Sequence, residues 1–142
     1  MDTAIQTKTL ADFIDTYSIT MSCERTYSNP AMGNDEWAKT ATHWRCILLC
    51  CETGAQMETV FSMGSGLKGS PTKADVLSCL RDDARSIQDS TEFEDWAEDL
   101  GYDTDSRKAE RIYTQVLAQA LKLQQWLGAA GYAALLHTEE EA

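Results

Sequence analysis

The sequence predicts a single α+β domain, in which a three-stranded antiparallel sheet is packed with three main helices. The first half contains short runs with alternating or continuous apolar residues, which are typical of strands. The second half repeats its apolar residues in steps of three and four, which is typical of amphipathic helices. A chain of 142 residues is long enough for one domain with its own core. We divide it into an N-terminal extension (1–15), a β-meander (16–63), a helical part (71–136) and an acidic tail (137–142).

The first strand is predicted over "TYSITMSCE", residues 16–24, because its residues alternate in polarity. One face carries Tyr17, Ile19, Met21 and Cys23, and the other is polar, as expected for a half-buried strand. A short helix is predicted just before it, with Thr9 as N-cap and Asp12 at the third helical position. The Asn-Pro and Gly-Asn pairs that follow the strand predict a loop.

The second and third strands are predicted over residues 43–52 and 56–63, which flank Thr53 and Gly54. This spacing predicts a hairpin that turns at the glycine. The second strand is apolar on both faces, and such a strand is expected in the middle of a sheet. The three strands together predict an antiparallel meander.

Three helices are predicted in the second half of the chain. The first spans residues 72–88 and the second residues 90–101, where Gly101 suits the left-handed position after a helix end. The third runs from about Asp105 to Leu127, and Gly128 is expected to stop it. Residues 129–137 are expected to add one last helical turn.

The motifs of common enzymes are not found in this sequence. It has two histidines, His43 and His137, and no nucleophile elbow, zinc-protease helix or dinucleotide fingerprint. The loop at 64–72 superficially resembles a phosphate loop, but Lys68 precedes a glycine where the motif requires Ser or Thr. We therefore predict a protein that is not an enzyme and has no cofactor. An enzyme with an unrecognised carboxylate site remains an alternative.

The five cysteines do not have the spacing of a disulfide framework, and no signal peptide is recognised. We therefore expect the reducing cytoplasm of a host cell as the location. His43 lies close in sequence to Cys46, Cys50 and Cys51, which raises a zinc site as an alternative. On a strand, however, the first two of these cysteines point to one face and the third to the other. Cysteines that act as small apolar side chains fit better, and we predict no metal site.

Asp103, Asp105 and Ser106 precede the long helix, and we predict that one of them caps it. A calcium loop that starts at Asp103 would place Lys108 where the EF-hand requires glycine, so that alternative fails. Asp83 falls within the apolar face of the first long helix. We predict that it is buried and hydrogen-bonded, by capping a helix, accepting from a tryptophan indole or pairing with an arginine.

The net charge of −11 is concentrated in one quarter of the chain. Residues 72–106 hold eleven acidic and three basic residues, and 11 − 3 gives eight of the excess negative charges. A field of this sign repels nucleic acids and membrane surfaces and attracts basic proteins. Most runs of this kind are only solvated faces. We nevertheless select candidate partner-binding residues: acids on the predicted helices, and two apolar side chains at the edges of the apolar stripe of the long helix. They are Asp82, Asp89, Glu92, Glu94, Asp95, Glu98, Asp99, Leu121 and Trp126.

The segments "GSPTKADVLSCLRDDA" and "FEDWAEDLGYDTDSRKAERIYTQVLAQALKLQQWLG" resemble a family of small acidic proteins encoded by phages, prophages and other mobile elements. The resemblance covers about residues 16–128, and the block D-x-D-S-R-K-A-E at 103–110 is its most specific part. Most members of this family have no assigned activity. Small acidic phage proteins include anti-CRISPR and anti-restriction inhibitors, some of which mimic DNA, and the resemblance implies no active-site residues.

The sequence therefore leads to one expected function, and alternatives to it remain open. We expect an acidic binding protein of a mobile element that inhibits a host nucleic-acid-handling defence complex, in the manner of an anti-CRISPR protein or DNA mimic. Its partner would be a basic nucleic-acid-binding host protein, with no direct contact to nucleic acid or membrane. The alternatives are a small structural or regulatory phage protein that acts by self-association, for example as a homodimer, and an uncharacterised domain with no enzymatic role.

Overall fold

The computed structural model describes residues 9–27, 40–64, 69–89, 92–104 and 106–139. These residues form the predicted α+β fold, with a three-stranded antiparallel sheet and four helices. In chain order the elements are α1 (Leu10–Tyr17), β1 (Ile19–Thr26), β2 (Thr42–Cys50), β3 (Ala55–Met63), α2 (Lys73–Asp89), α3 (Phe93–Asp99) and α4 (Arg107–Leu136).

The sheet has the order β1-β2-β3, so β2 is central as its apolar sequence predicts. β1 and β2 pair with Ile19 opposite Cys50, and β2 and β3 pair with Cys50 opposite Ala55. The hairpin turns at residues 51–54, where Gly54 has a φ of 76°. The face that carries Cys46, Leu48 and Cys50 packs into the core under the helices.

α1 belongs to the fold, although the sequence analysis placed residues 1–15 in an extension. Leu10 and Phe13 are buried in the core. Thr9 and Asp12 form the predicted capping box, in which each side chain accepts a hydrogen bond from the other residue's backbone N–H. Ser18 ends the helix in the left-handed conformation. β1 therefore begins at Ile19, three residues later than the predicted start at residue 16, because Tyr17 is the last residue of α1.

α2 and α4 supply most of the helical side of the core. The predicted apolar face of α2 is confirmed, since Val76, Leu77, Leu80 and Ala84 are all buried. α4 contributes a buried stripe that consists of Ala109, Val116, Ala120, Leu123 and Leu127. The two helices enclose the core from the side opposite the strands.

Gly128 interrupts α4, as the sequence predicts. Its φ of 74° and ψ of 172° are not helical, and they kink the chain between residues 107–127 and 129–136. A Cβ would be strained in this backbone conformation, which is almost restricted to glycine. The second segment is longer than the single turn expected, and it buries Leu135 and Leu136 in the main core.

Trp126 was selected as an exposed contact residue, and the structure contradicts this. Its side chain is only 3 % exposed, and its indole Nε1 donates to the carbonyl oxygen of Ala55 at 2.8 Å. The reason is that the first residue of β3 lies against α4 and offers an acceptor where the helical wheel shows only an edge of the apolar stripe. Trp126 is therefore part of the core and is removed from the candidate surface.

Candidate functional site

The acidic helix α3 is held on a small aromatic cluster of its own. Trp96 and Ala97 are buried there with Val116 of α4. The ring of Trp96 stacks on Tyr102 at 5.5 Å between centroids and packs against Tyr113 at 5.3 Å. These contacts anchor the helix on α4 and fix the direction in which its outer face points.

A hydrogen bond ties the same tryptophan to α2. The indole Nε1 of Trp96 donates to Ser86 Oγ at 3.0 Å, and Ser86 Oγ donates to the backbone oxygen of Asp83 at 2.6 Å. Buried indole N–H groups need such partners. α3 is thereby connected to both long helices, although it has only seven residues.

The end of α3 is fixed by the predicted glycine. Gly101 has a φ of 77°, and its N–H donates to the oxygen of Glu98 at 3.1 Å. The N–H of Tyr102 donates to the oxygen of Ala97 at 2.8 Å, which completes a Schellman motif. Leu100, which follows the last residue of α3, is 52 % exposed and therefore does not help to anchor the helix.

Four carboxylates lie on the outer face of α3 and at its start. Glu92, Glu94, Asp95 and Glu98 are exposed, and within the described part of the chain none of them forms an ion pair. Positions 94 and 98 are one helical turn apart, about 6 Å along the axis. We call these four residues the acidic surface.

Other predicted acids differ from this group. Asp99 and Asp103 are exposed, but each already interacts with another group. Asp105 and the side chain of Asp89 lie outside the described residues. Ser106 fulfils the predicted capping role, since its Oγ accepts the N–H of Ala109 at 3.1 Å.

Asp82 does not belong to the acidic surface, because two arginines occupy it. Its Oδ1 lies 3.1 Å from Arg81 Nε and 3.9 Å from an Arg85 guanidinium nitrogen. A carboxylate in such a pair offers less charge to a partner than an unpaired one. We therefore correct the sequence-based assignment of Asp82 to partner binding.

Asp83 is half-buried, as its position on the helical wheel predicted, but its partner is not the expected one. It accepts a weak hydrogen bond from the thiol of Cys79, with 3.9 Å between sulfur and oxygen. The indole N–H of Trp96 donates to Ser86 instead. Of the nearby arginines, Arg81 pairs with Asp82, and Arg85 donates to the carbonyl oxygen of Leu136. Burial, reinforced by the charge of Asp82, raises the pKa of Asp83 to about 6.

Arg81 and Arg85 were not recognised as functional positions in the sequence. Arg81 is fully buried and donates to Thr138 Oγ1 at 3.2 Å and to Ser78 Oγ at 3.3 Å. Arg85 donates to the carbonyl oxygen of Leu136 at 2.8 Å. The two arginines fasten the chain after α4 onto α2. Arg81 follows Leu77 by four residues and so lies on the same side of α2. The helical wheel on which Asp83 was selected therefore also placed Arg81 on the apolar face.

The exposed face of the sheet shows a different arrangement of charges. Arg45 of β2 lies between Glu24 and Glu58 on the neighbouring strands, with both N···O distances 2.9 Å. The hydrogen bond from Arg45 holds the pKa of Glu58 below its usual value. The glutamates of the sheet are therefore neutralised locally, unlike those of α3.

Two apolar side chains remain exposed on α4. Leu117 is 37 % exposed and Leu121 is 52 % exposed, and they are one helical turn apart on the same side. Leu121 therefore keeps its place as a candidate contact residue, and Leu117 joins it.

The residues of the alternative zinc site do not come together. His43 and Cys46 point to opposite faces of β2, and His43 Nδ1 lies 2.7 Å from Ser62 Oγ. Among the described residues, no group of three His, Cys, Asp or Glu side chains could hold a metal ion. Of the helices described, none is long and apolar enough to cross a bilayer.

Comparison with known proteins identifies no relative of this chain. No family model, no curated protein and no solved structure matches it. The resemblance to acidic phage proteins remains a prediction from the sequence.

Proposed function

We propose that the protein is a binding module whose acidic surface on α3 docks onto the basic, nucleic-acid-binding surface of another protein. The observation that carries the proposal is a set of four exposed carboxylates that have no ion-pair partner among the described residues: Glu92, Glu94, Asp95 and Glu98. The partner class that fits this chemistry is an arginine- and lysine-lined groove, which would otherwise bind phosphates.

The rigid support of α3 favours binding over simple solvation. A flexible acidic tail loses conformational entropy when a partner orders it. Here Trp96 is already fixed by Tyr102, Tyr113 and Ser86, so the backbone that carries the carboxylates is ordered before any partner arrives. Preorganised groups bind with a smaller entropic cost.

The contrast with the rest of the molecule supports the same conclusion. Glu24 and Glu58 are bridged by Arg45, and Asp82 is bridged by Arg81. Glu94, Asp95 and Glu98 of α3 form no ion pair with any residue that the structure describes, and like charges one turn apart weaken a helix by about 0.2–0.5 kcal/mol per pair. These acids therefore do not contribute to the stability of their own helix through pairing.

The biological setting follows from the sequence resemblance. A mobile element that enters a bacterial cell meets host complexes that bind nucleic acids through basic grooves. We propose that the acidic surface occupies such a groove as a DNA mimic and inhibits a defence complex. The proposed partner is the host complex, and the protein itself is not expected to bind DNA.

The test compares two triple variants that lose the same charge. The first is Glu94→Gln, Asp95→Asn and Glu98→Gln, on the acidic surface. The control is Asp15→Asn, Glu52→Gln and Glu139→Gln, three exposed positions elsewhere. Both variants carry three fewer negative charges than the wild type. A loss of partner binding that depends only on net charge would therefore affect them equally.

Each protein is immobilised and used to capture complexes from a bacterial host lysate, and DNA binding by the captured complex is then measured. We expect the wild type and the control to capture a nucleic-acid-binding complex, to release it at high salt and to compete with duplex DNA. The surface variant should lose both capture and competition. Equal behaviour of the two triple variants, or capture without competition by DNA, would contradict the proposal.

A second candidate function is self-association through α4, which the exposed pair Leu117 and Leu121 favours. Light scattering over a range of protein concentrations tests it. The variant Leu117→Ser and Leu121→Ser should shift a dimer to a monomer, whereas Gln125→Ser, at an exposed polar position of the same helix, should not. A wild-type protein that stays monomeric at the highest concentration would eliminate this candidate.

A further inference from the structure

Two of the cysteines face each other directly across the sheet. Cys23 of β1 is the register partner of Cys46 of β2. Both residues are free thiols in the structure, and both side chains point to the core-facing side of the sheet. The pair is not evident from the sequence, because 22 residues separate the two positions in the chain.

The hydrogen-bond pattern shows that Cys23 and Cys46 form a non-hydrogen-bonded pair, the kind in which opposed residues of an antiparallel ladder lie closer together. The N–H of Cys51 donates to the oxygen of Ser18, so these two opposed residues form a hydrogen-bonded pair. Hydrogen-bonded and non-hydrogen-bonded pairs alternate along an antiparallel ladder. Counting along β1 from Ser18, the pair at Cys23 is therefore non-hydrogen-bonded. The Cα atoms in such pairs are about 4.5 Å apart, which lies within the range that a disulfide spans.

The two thiols differ in their access to solvent. Cys23 lies on the edge strand and is partly exposed, whereas Cys46 is completely buried. Burial and the neighbouring Cys23 raise the pKa of the Cys46 thiol to about 11. Cys23 is thus the thiol that an external reagent can reach, and Cys46 is the one placed to react second.

We propose that Cys23 and Cys46 form a redox modification site, in which a small-molecule disulfide converts the two thiols into a cross-strand disulfide. This inference does not depend on the proposed function. The reagent class is a thiol disulfide such as glutathione disulfide, which supplies the oxidising equivalents.

The reaction balances in two exchange steps. The Cys23 thiolate attacks one sulfur of the reagent, whose S–S bond breaks, and the first thiolate leaves and takes up the proton of Cys23. The sulfur of Cys46 then gives its proton to solvent base and attacks the Cys23 sulfur. The mixed disulfide breaks and the second thiolate leaves and is protonated. Two protein thiols are oxidised to one disulfide, and one reagent disulfide is reduced to two thiols.

The experiment uses the full chain with Cys51→Ser and Cys79→Ser, which removes the two exposed cysteines. The folded protein is incubated with glutathione disulfide, alkylated and examined by intact mass spectrometry and by digestion without reduction. Trypsin can cut at Arg25, Lys39 and Arg45 between the two cysteines. We expect the loss of two hydrogens, no retained glutathione and a linked peptide pair that contains Cys23 and Cys46.

A further variant, Cys46→Ser in the same background, should retain one glutathione on Cys23, because the second step is blocked. If this variant does not fold, the linked peptides from the background protein decide the question on their own. The oxidised protein should also melt at a higher temperature than the reduced one, because the bond closes the loop between β1 and β2. A stable glutathione adduct on the background protein, or a link that forms only in urea, would overturn the proposal.

Discussion

Replacement of Asp83 by asparagine should stabilise the protein at neutral pH. The carboxylate is half-buried in α2, its hydrogen-bond partner is the weak thiol donor of Cys79, and Asp82 adds a second negative charge nearby. Asparagine keeps the shape of the side chain and removes the charge. The burial penalty of the ionised group therefore disappears.

The magnitude follows from the pKa of Asp83, which burial raises from 3.8 to about 6. A difference of about 2 pKa units at about 1.4 kcal/mol each sets an upper limit of about 3 kcal/mol. Partial contact with water reduces this limit, and we expect a gain of about 1–2 kcal/mol in the free energy of unfolding at pH 7.5.

The direction of the pH dependence is fixed by proton linkage. Between pH 3.8 and about 6 the folded state holds the proton of Asp83 more tightly than the unfolded state does. Wild-type stability therefore falls as the pH rises through this window, relative to a protein without the group. The advantage of Asp83→Asn should be fully present above pH 6 and should shrink towards zero near pH 4.

Urea denaturation of both proteins at a series of pH values measures this difference. The variant Glu98→Gln serves as the control, because Glu98 is exposed and has no ion-pair partner among the described residues. It should change the stability by less than about 0.5 kcal/mol at every pH. A constant difference between Asp83→Asn and wild type from pH 4 to pH 8, or a destabilised variant at pH 7.5, would refute the reasoning.

Three further substitutions test the supports of the fold by the same denaturation assay. Arg81→Ala should cost about 2–4 kcal/mol, because it empties a fully buried position and leaves Thr138 without its donor; a change below 1 kcal/mol would contradict this. Ser86→Ala should cost about 1–3 kcal/mol, because the indole N–H of Trp96 loses its acceptor, and an unchanged midpoint would argue against that bond. Gly128→Ala should cost about 1–3 kcal/mol through backbone strain alone, since a Cβ there would meet no neighbouring atom within 4 Å, and a neutral result would mean that the kink is dispensable.

The fold was predictable where local chemistry determines the element. The capping box at Thr9, the central position of β2 and the glycine-ended helices follow from nearby residues, and the structure confirms them. These signals are local because hydrogen bonds at helix ends and the alternation of strand residues involve neighbours in the chain.

The prediction was wrong where a distant residue decides the environment. Trp126 is buried because Ala55, far away in the sequence, places its carbonyl oxygen where it accepts the indole N–H. The pairing of Cys23 with Cys46 depends on strand register, which the sequence analysis did not specify. Side-chain partners of this kind require the tertiary structure.

Measurements of binding and of stability together distinguish the acidic surface from a face that only keeps the protein soluble. A solubilising charge contributes nothing to a contact, and its removal leaves binding unchanged. Glu94 and Glu98 repel each other one turn apart on α3, whereas Glu94 also lies in the first turn, where the helix dipole favours a negative charge. These two effects oppose each other, so joint neutralisation should change the stability by less than about 1 kcal/mol. If the neutralised protein folds at least as well and loses its partner, stability cannot account for the loss. The anchoring of α3 by Trp96 would then be explained by recognition, because the variant would show that the fold does not depend on these charges.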